Sequence, residues 1–536
     1  MLRQQQNNAF QSPHFDLENE NGDDRDEGFK EEEKKEAGTY IHNIVFSGIG
    51  LVSDGYNAQV ISFALLLLSK IYSREELTSK IKTRISAAYY VGIVVGALLF
   101  GNLIDGFSRK TGVVLATAVL VVGVGLSSVS GVNTSPSGLF WMLTVSRGIL
   151  GVGAGGEYPV CTTGATEASD ENTTVQKRRG MLVALVGNFA VDIGLVLGGV
   201  VPLIVLALYG YRANTPATQT QDLEAAWRIA VGLGAAIPIA VFYWRYKMVT
   251  STAFSKNSKR SLGKVSTARF YALVFRRYWR SLSGACLCWF LYDFVSYPAS
   301  LLATPFIAGL SSSSSHSSTP TSTSLVHAVG YGSLINLFTL PGCLIGSLLL
   351  DRAGRKTTQM AGFFAQAIIG AVLGGVLHRI KSNLCAFVLL YGAFVACAEA
   401  GPGVATILIS AEVAPTAVRG HFVGLAAAFG KAGAAIGTVC FSALQAQFSD
   451  EMAGQQAVFL VAAGFSLVGA LATFLLIPAQ LEKRSLEEED KQFRKYLEEH
   501  GIVQDVFCKG TAEAVHEVKV EKCDEDLKDH DKLFRS

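Results

Sequence analysis

One apolar stretch concentrates the residues able to do chemistry. Arg147 to Glu167 reads RGILGVGAGGEYPVCTTGATE, and sets Arg147, Glu157 and Glu167 in, or at the end of, a run otherwise suited to lipid. A charged side chain in a bilayer costs a few kcal/mol or more, so such residues face a pathway or a partner. The glycines let helix backbones approach closely, and Pro159 adds a bend. A polar, tightly packed, bent helix inside a membrane points to a transport path. Further along, Trp289, Asp293 and Tyr297 recur at four-residue intervals, which places them on one helix face. This is the chemistry of binding and passage. No nucleophile–base pair and no His/Cys metal spacing is evident, so no catalytic residue, metal or cofactor is expected, and the chain is not read as an enzyme. GVGAGG lies inside an apolar helix with no strand before it, so it fails the context required of a phosphate or dinucleotide loop. GKAGA around Lys431 lacks the Walker spacing.

The elements that must position these residues are membrane spans. The chain has 536 residues, 50% hydrophobic and only 17% charged, with a mean hydropathy of +0.33. That is too apolar for a soluble protein of this length. A net charge of +2 makes no case for nucleic acid. Residues 1–40 are polar and acidic, without a short apolar signal region, so the first apolar segment is expected to serve as both signal and anchor. Most of the nine cysteines fall inside apolar segments and read as small packing residues.

A spanning helix needs ~20 mostly apolar residues. Twelve segments qualify, at 41–69, 84–104, 110–131, 138–164, 180–208, 227–247, 281–308, 327–350, 358–378, 384–409, 421–446 and 456–477. An even count puts both termini on one side. Lys and Arg concentrate after segments two, four, six and eight; the loop after segment one (Lys70, Arg74, Lys80, Lys82, Arg84) is the exception. The long basic loop decides the orientation: both termini are expected in the cytoplasm. The expected layout is a cytoplasmic tail 1–40, a six-helix bundle 41–247, a basic linker 248–280, a second six-helix bundle 281–477 and a cytoplasmic tail 478–536. Within that last tail, Leu481–His500 reads as a charged, solvated helix. Ser311–Ser324 reads as a flexible outer loop, and Asn133 heads a glycosylation sequon too close to the bilayer to be used.

The halves echo one another. GNLIDGFSRK follows segment two, with Asp105 and Arg109; GSLLLDRAGRK follows segment eight, with Asp351 and Arg355. Gly156 to Glu167 matches Gly401 to Glu412, and an Arg-Gly pair follows each time, Arg179-Gly180 and Arg419-Gly420. Two related six-helix halves around a central cavity form a transporter plan, one half rocking against the other. These residues resemble the major facilitator superfamily. The resemblance implies an all-α membrane protein of twelve helices in two pseudo-symmetric bundles. It also implies that Asp105, Arg109, Asp351 and Arg355 gate the path.

GAGGEYP with Glu157, Tyr158 and Pro159, SDGYN with Asp54 and Tyr56, and WFLYDFVSYP with Asp293 resemble the phosphate:proton symporter branch. GLFWMLTVSRG (138–148), YDFVSYP, AGPG (400–403) and the run from Asp490 to Gly501 are similar to fungal glycerophosphodiester permeases, which import glycerophosphoinositol or glycerophosphocholine. Against the phosphate carriers, this chain has Asn57 for a second carboxylate, Gly403 for an Asn and Asn188 for a Gln. The shorter side chains are expected to widen the cavity for a ligand with an alcohol beyond its phosphate.

The resemblance thus implies a plasma-membrane, proton-coupled symporter for an anionic or zwitterionic phosphodiester, working as a monomer. Lys431 supplies a point charge with three donors. Tyr158, Tyr297, Trp289 and Asn188 orient phosphate and alcohol oxygens. Asp293 is expected to donate to phosphate as a neutral acid and to eject the substrate once deprotonated, with Asp54 and then Glu157 as further proton carriers. Glu157 also reads as a packing residue. Arg147 either binds the anion or pairs with a carboxylate as a clamp. Asp192 lines the cavity or serves a neighbouring helix, and Glu399 would face a ligand ammonium. Glu167 and Glu412 are expected to cap, or pair with, Arg179 and Arg419. Two alternatives stay open: an inorganic phosphate:proton symporter, and a nutrient sensor that binds without transporting.

Overall fold

The computed structural model describes residues 41, 44–45, 48–106, 109–131, 134–170, 173–211, 222–247, 267–314, 323–380, 383–479, 481 and 485–501. The expected tail 1–40, the sequon at Asn133 and most of the basic linker lie outside them. Twelve helices are long and apolar enough to cross a membrane. In the first half they are α1 (Leu51–Ile71), α2 (Ser79–Asp105), α3 (Lys110–Ser128), α4 (Pro136–Asp170), α5 (Arg179–Leu208) and α6 (Leu223–Tyr246). The second half holds α7 (Ala268–Ala303), α8 (Val329–Arg352), α9 (Arg355–Ile380), α10 (Leu384–Glu412), α11 (Thr416–Ala446) and α12 (Met452–Leu476). The last residues of the expected linker are therefore helical. Thr267–Ser314 forms one helix, so of the expected Ser311–Ser324 loop residues 311–314 end that helix and 323–324 begin the next. Phe270, Val274 and Tyr278 bury one face of the stretch before position 281 at helical spacing.

Glycine sets how closely the helices meet. A Cβ at Gly151 on α4 would collide with the Tyr89 carbonyl oxygen of α2, and one at Gly362 on α9 with the Gly401 backbone of α10. The GVGAGG run is thus a helix-packing surface. Two spans carry a widened π turn, Leu185–Phe189 in α5 and Glu399–Gly403 in α10. In α10 the cause is visible: Pro402 has no N–H to donate and crowds the preceding turn.

At one end of the molecule the halves hold each other by a reciprocal set of contacts. Asp105, closing α2, accepts from the backbone N–H of Gly420 (3.1 Å) and His421 (2.8 Å) at the start of α11, and meets His421 Nδ1 at 2.5 Å. Asp351, near the end of α8, accepts from the N–H of Gly180 (3.0 Å) and Met181 (2.8 Å) at the start of α5. Each carboxylate answers unpaired N–H groups and the positive end of a helix dipole in the opposite half. The arginines cross in the same way. Arg179 Nε reaches Glu412 at 2.9 Å, and Arg419 Nη1 reaches Glu167 at 3.2 Å. Both glutamates are paired with the expected arginines, across the halves. Arg355 adds Glu412 (3.0 Å) and Asp351 (3.2 Å). Arg109 begins the helix that carries α3, and its side chain lies outside the described residues.

The chain after α12 departs from its sequence reading. Leu486–Glu499 forms a helix, α13, with Ser485 as N-cap. This helix is docked, not solvated. Asp490 accepts from Thr416 N (2.7 Å) and Oγ1 (2.6 Å), and Glu489 accepts from Tyr278 Oη (2.6 Å). Phe493 and Leu497 are buried, and Phe493 rests against Phe270 and Tyr278. Its charges mask a stripe of Leu486, Phe493 and Leu497 at helical spacing.

A hydrogen bond to a charged group is worth about 1.5–3 kcal/mol. Asp105→Ala is therefore expected to raise amide hydrogen exchange in the first turn of α11 by roughly tenfold or more. Unchanged protection at Gly420 and His421 would show that Asp105 does not hold that turn.

Candidate functional site

Where the halves face one another, α1, α2, α4, α7 and α11 bring aromatic and charged side chains together. Lys431 on α11 pairs with Asp293 Oδ2 on α7 at 3.1 Å and hydrogen-bonds Tyr297 Oη. Its ammonium lies 4.8 Å from the Tyr158 ring centroid and 3.9 Å from that of Tyr297. Such proximity stabilises a cation through the ring quadrupoles. Tyr158 packs edge-on against Trp289, and Tyr297 against Tyr90. Asp54 on α1 accepts from Tyr158 Oη at 2.5 Å and from Tyr89 Oη. Asp54, Tyr158, Trp289, Asp293, Tyr297 and Lys431, read from sequence as binding or proton-carrying residues, thus form one connected cluster. They come from α1 and α4 of one half and α7 and α11 of the other.

Three other residues take different places. Arg147 donates to the Asn57 carbonyl oxygen at 2.7 Å, and its guanidinium carbon sits 4.3 Å from the Tyr89 ring centroid. Its clamp is a carbonyl and a ring in its own half, not the expected carboxylate. Glu157 turns away from the cluster into the first half. It meets Arg245 Nη2 at 2.7 Å and Nη1 at 2.8 Å, and accepts from Thr117 Oγ1 at 3.0 Å and Cys161 Sγ at 3.2 Å. Arg245 and Glu157 are both fully enclosed. Removing one partner of such a pair leaves a buried charge unanswered, so the geometry supports the packing reading of Glu157 over the proton-carrying one. Asn188 donates to Glu399 at 2.6 Å and faces Asp192 at 3.4 Å, beside Cys343 on α8. Tyr292 donates to the same Glu399 carboxylate at 2.6 and 2.8 Å.

This second cluster corrects the reading of Gly403 as empty room. A Cβ there would meet the Glu399 carboxylate, Tyr292 Oη at 3.0 Å and Asn188 Nδ2 at 3.1 Å. The missing side chain makes way for a carboxylate. Asn188 and Glu399 each stand in a π turn, those of α5 and α10, and such turns recur at functional sites.

The sequence reading overlooked Tyr89, Tyr90, Tyr292 and Arg245. A usable signal existed for Tyr292, which precedes Asp293, and for the tandem tyrosines of α2. Arg245, near the end of α6 among aromatics, looks like an interfacial residue, and nothing local announces its partner. Among the described residues, no group of three or more His, Cys, Asp or Glu could hold a metal ion.

The sequence pattern of the family described as "Sugar (and other) transporter" matches residues 43–268 and 285–493. A glycerophosphoinositol transporter of Saccharomyces cerevisiae is 34% identical over 475 residues, 88% of this chain and 85% of the yeast protein. A glycerophosphocholine permease of Candida albicans is also 34% identical, over 85% of this chain and 82% of the relative. Among solved structures, the proton:xylose symporter XylE from E. coli superposes with a TM-score of 0.66 at 17% identity, covering 84% of this chain and 99% of XylE. The fold, the repeated contacts between the halves and these matches agree: the chain is a twelve-span transporter of the major facilitator superfamily and belongs to its sugar (and other) transporter family.

Proposed function

We propose that the protein is a proton-coupled symporter that imports glycerophosphodiesters across the plasma membrane by alternating access. The observation that carries this reading is the Lys431–Asp293 pair at 3.1 Å, ringed by Tyr158, Tyr297 and Trp289 between the two halves. A phosphodiester is a monoanion at physiological pH. Lys431 answers it with a charge and directed donors, and the aromatic hydroxyls and indole can orient its remaining oxygens. An anion entering that pair displaces Asp293 from Lys431. The freed carboxylate, fully buried, then takes up a proton, because burial disfavours an unpaired charge. Proton and substrate therefore arrive together. Loss of the proton on the far side restores the Lys431–Asp293 pair and expels the anion. Asp54, held by two tyrosine hydroxyls within the same cluster, is the second proton carrier.

In this reading both termini and the reciprocal Asp105/Asp351 gate face the cytoplasm, and bundles 41–247 and 281–477 rock about the central cluster. Arg109 and Arg355 belong to that gate. An inside-negative potential opposes a monoanion by about 2.3 kcal/mol per 100 mV; a single co-transported proton cancels that opposition. The Glu399 carboxylate beside Gly403 disfavours inorganic phosphate, which carries more negative charge and has no alcohol to place there.

The test is uptake of labelled glycerophosphoinositol, glycerophosphocholine and phosphate in cells lacking their own carriers. Uptake of at least one diester above phosphate is expected, with collapse on adding a protonophore; uptake indifferent to the proton gradient would sink the coupling. Lys431→Ala removes the cation that answers the diester, a charge-assisted contact worth about 1.5–3 kcal/mol, so uptake should fall by roughly ten- to a hundredfold. Asp293→Asn is expected to bind substrate but lose pH-dependent accumulation. Full pH-dependent uptake in that variant would remove Asp293 from the coupling role.

A further inference from the structure

We propose that Asp192, Glu399, Asn188 and Asn336 form a separate subsite that recognises a polyhydroxylated head group on the diester; this rests on the transport reading above. Asp192 and Glu399 are 2% and 4% exposed. Among the described residues neither makes an ion pair, whereas Asp293 is paired with Lys431; Asp54, like Glu399, is met by hydrogen bonds alone. Asn188 donates to both acids, and Tyr292 supplies one further O–H to Glu399. A pair of buried carboxylates met by hydrogen bonds but by no cation keeps acceptor capacity to spare, and it repels phosphate. It is therefore placed for the part of the ligand that is not phosphate.

A second observation points the same way. Asn336 on α8 is fully buried, and neither its amide nitrogen nor its amide oxygen has a hydrogen-bond partner. It lies on the same span as Cys343, on the other side of a break at Phe338, and Cys343 adjoins Asn188. Three residues before it, Ser333 fills the space beside Gly199 on α5. Asn336 thus sits on the stretch of α8 that runs along α5, outward from the acid pair. A buried amide left unpaired is costly, and satisfying it takes a group that both donates and accepts. Hydroxyls do both, and as donors they also suit carboxylates. A trimethylammonium group does neither and would leave the amide unsatisfied. A proton alone would settle one carboxylate and leave Asn336 as it is. Gly403 completes the arrangement, because any side chain there would occupy the space of the Glu399 carboxylate.

The experiment measures concentration-dependent uptake of labelled glycerophosphoinositol and glycerophosphocholine by the full-length protein, wild type, Asn336→Leu and Glu399→Gln, in cells lacking their own carriers. Surface expression is quantified, and choline-diester uptake in the same cells reports folding. Both variants are expected to raise KM for the inositol diester by about tenfold or more while changing that for the choline diester less than about twofold. Equal losses for both diesters, or a selective loss of the choline diester, would overturn the subsite. So would a wild-type protein that carries the choline diester alone. Wild-type protein that carries neither diester overturns the transport reading itself, and that outcome is distinct from the others because it precedes any substitution.

Discussion

A lone charge in the middle of a membrane protein is tolerated only when something answers it, and the 3.1 Å contact between Lys431 and Asp293 is the answer on which this structure turns. It joins helices α7 and α11 beside aromatic rings contributed by α4, so a change at this contact is felt by both halves. Around it the other central charges are settled by different means. Asp54 takes tyrosine hydroxyls, and Arg147 takes a carbonyl and a ring. Glu157 is closed off with Arg245 inside the first half. Close by stand two carboxylates without a cation, Asp192 and Glu399, bridged by the Asn188 amide, with the Tyr292 hydroxyl on Glu399.

The contacts between the halves follow a different logic. They are duplicated by the internal repeat, and each copy acts on the opposite half: Asp105 on the start of α11, Asp351 on the start of α5. Each half thus completes helix ends of the other, so bringing these ends together and satisfying those N–H groups are one event. Helix α13 adds to the same end through Asp490 and Thr416, three residues before Arg419. The chain beyond the last span thereby bears on the turn that presents Arg419 to Glu167.

Much of this was legible from residue types alone. Long apolar runs specify spans because lipid offers the backbone no partner, and the repeated Gly–Asp–Arg loop marks the halves. The central cluster was readable because charged residues are so out of place in lipid and Trp289 and Tyr297 fall at helical spacing from one of them, Asp293. Pairings between distant helices were not readable. Arg147 meets a backbone carbonyl, which no side-chain pattern announces, and Arg245 lies 88 residues from Glu157. Helix α13 was misread because charge dominates its composition, while the three apolar residues that dock it form a stripe only once wound into a helix. Gly403 was misread in the opposite sense: a missing side chain looked like space, but its neighbour Glu399 had filled it.

The paired π turns set the direction in which the residues after them point, because each turn is wider than a regular α turn. Each residue of a helix advances the azimuth by about 100°. Excising one residue from Leu185–Phe189 or from Glu399–Gly403 would restore a regular coil and swing everything beyond it by that angle, parting Asn188 from Glu399. In α10 the swung segment carries Glu412, so removal of one residue within that span would move the Asn188–Glu399 contact and the Arg179 and Arg355 pairs together.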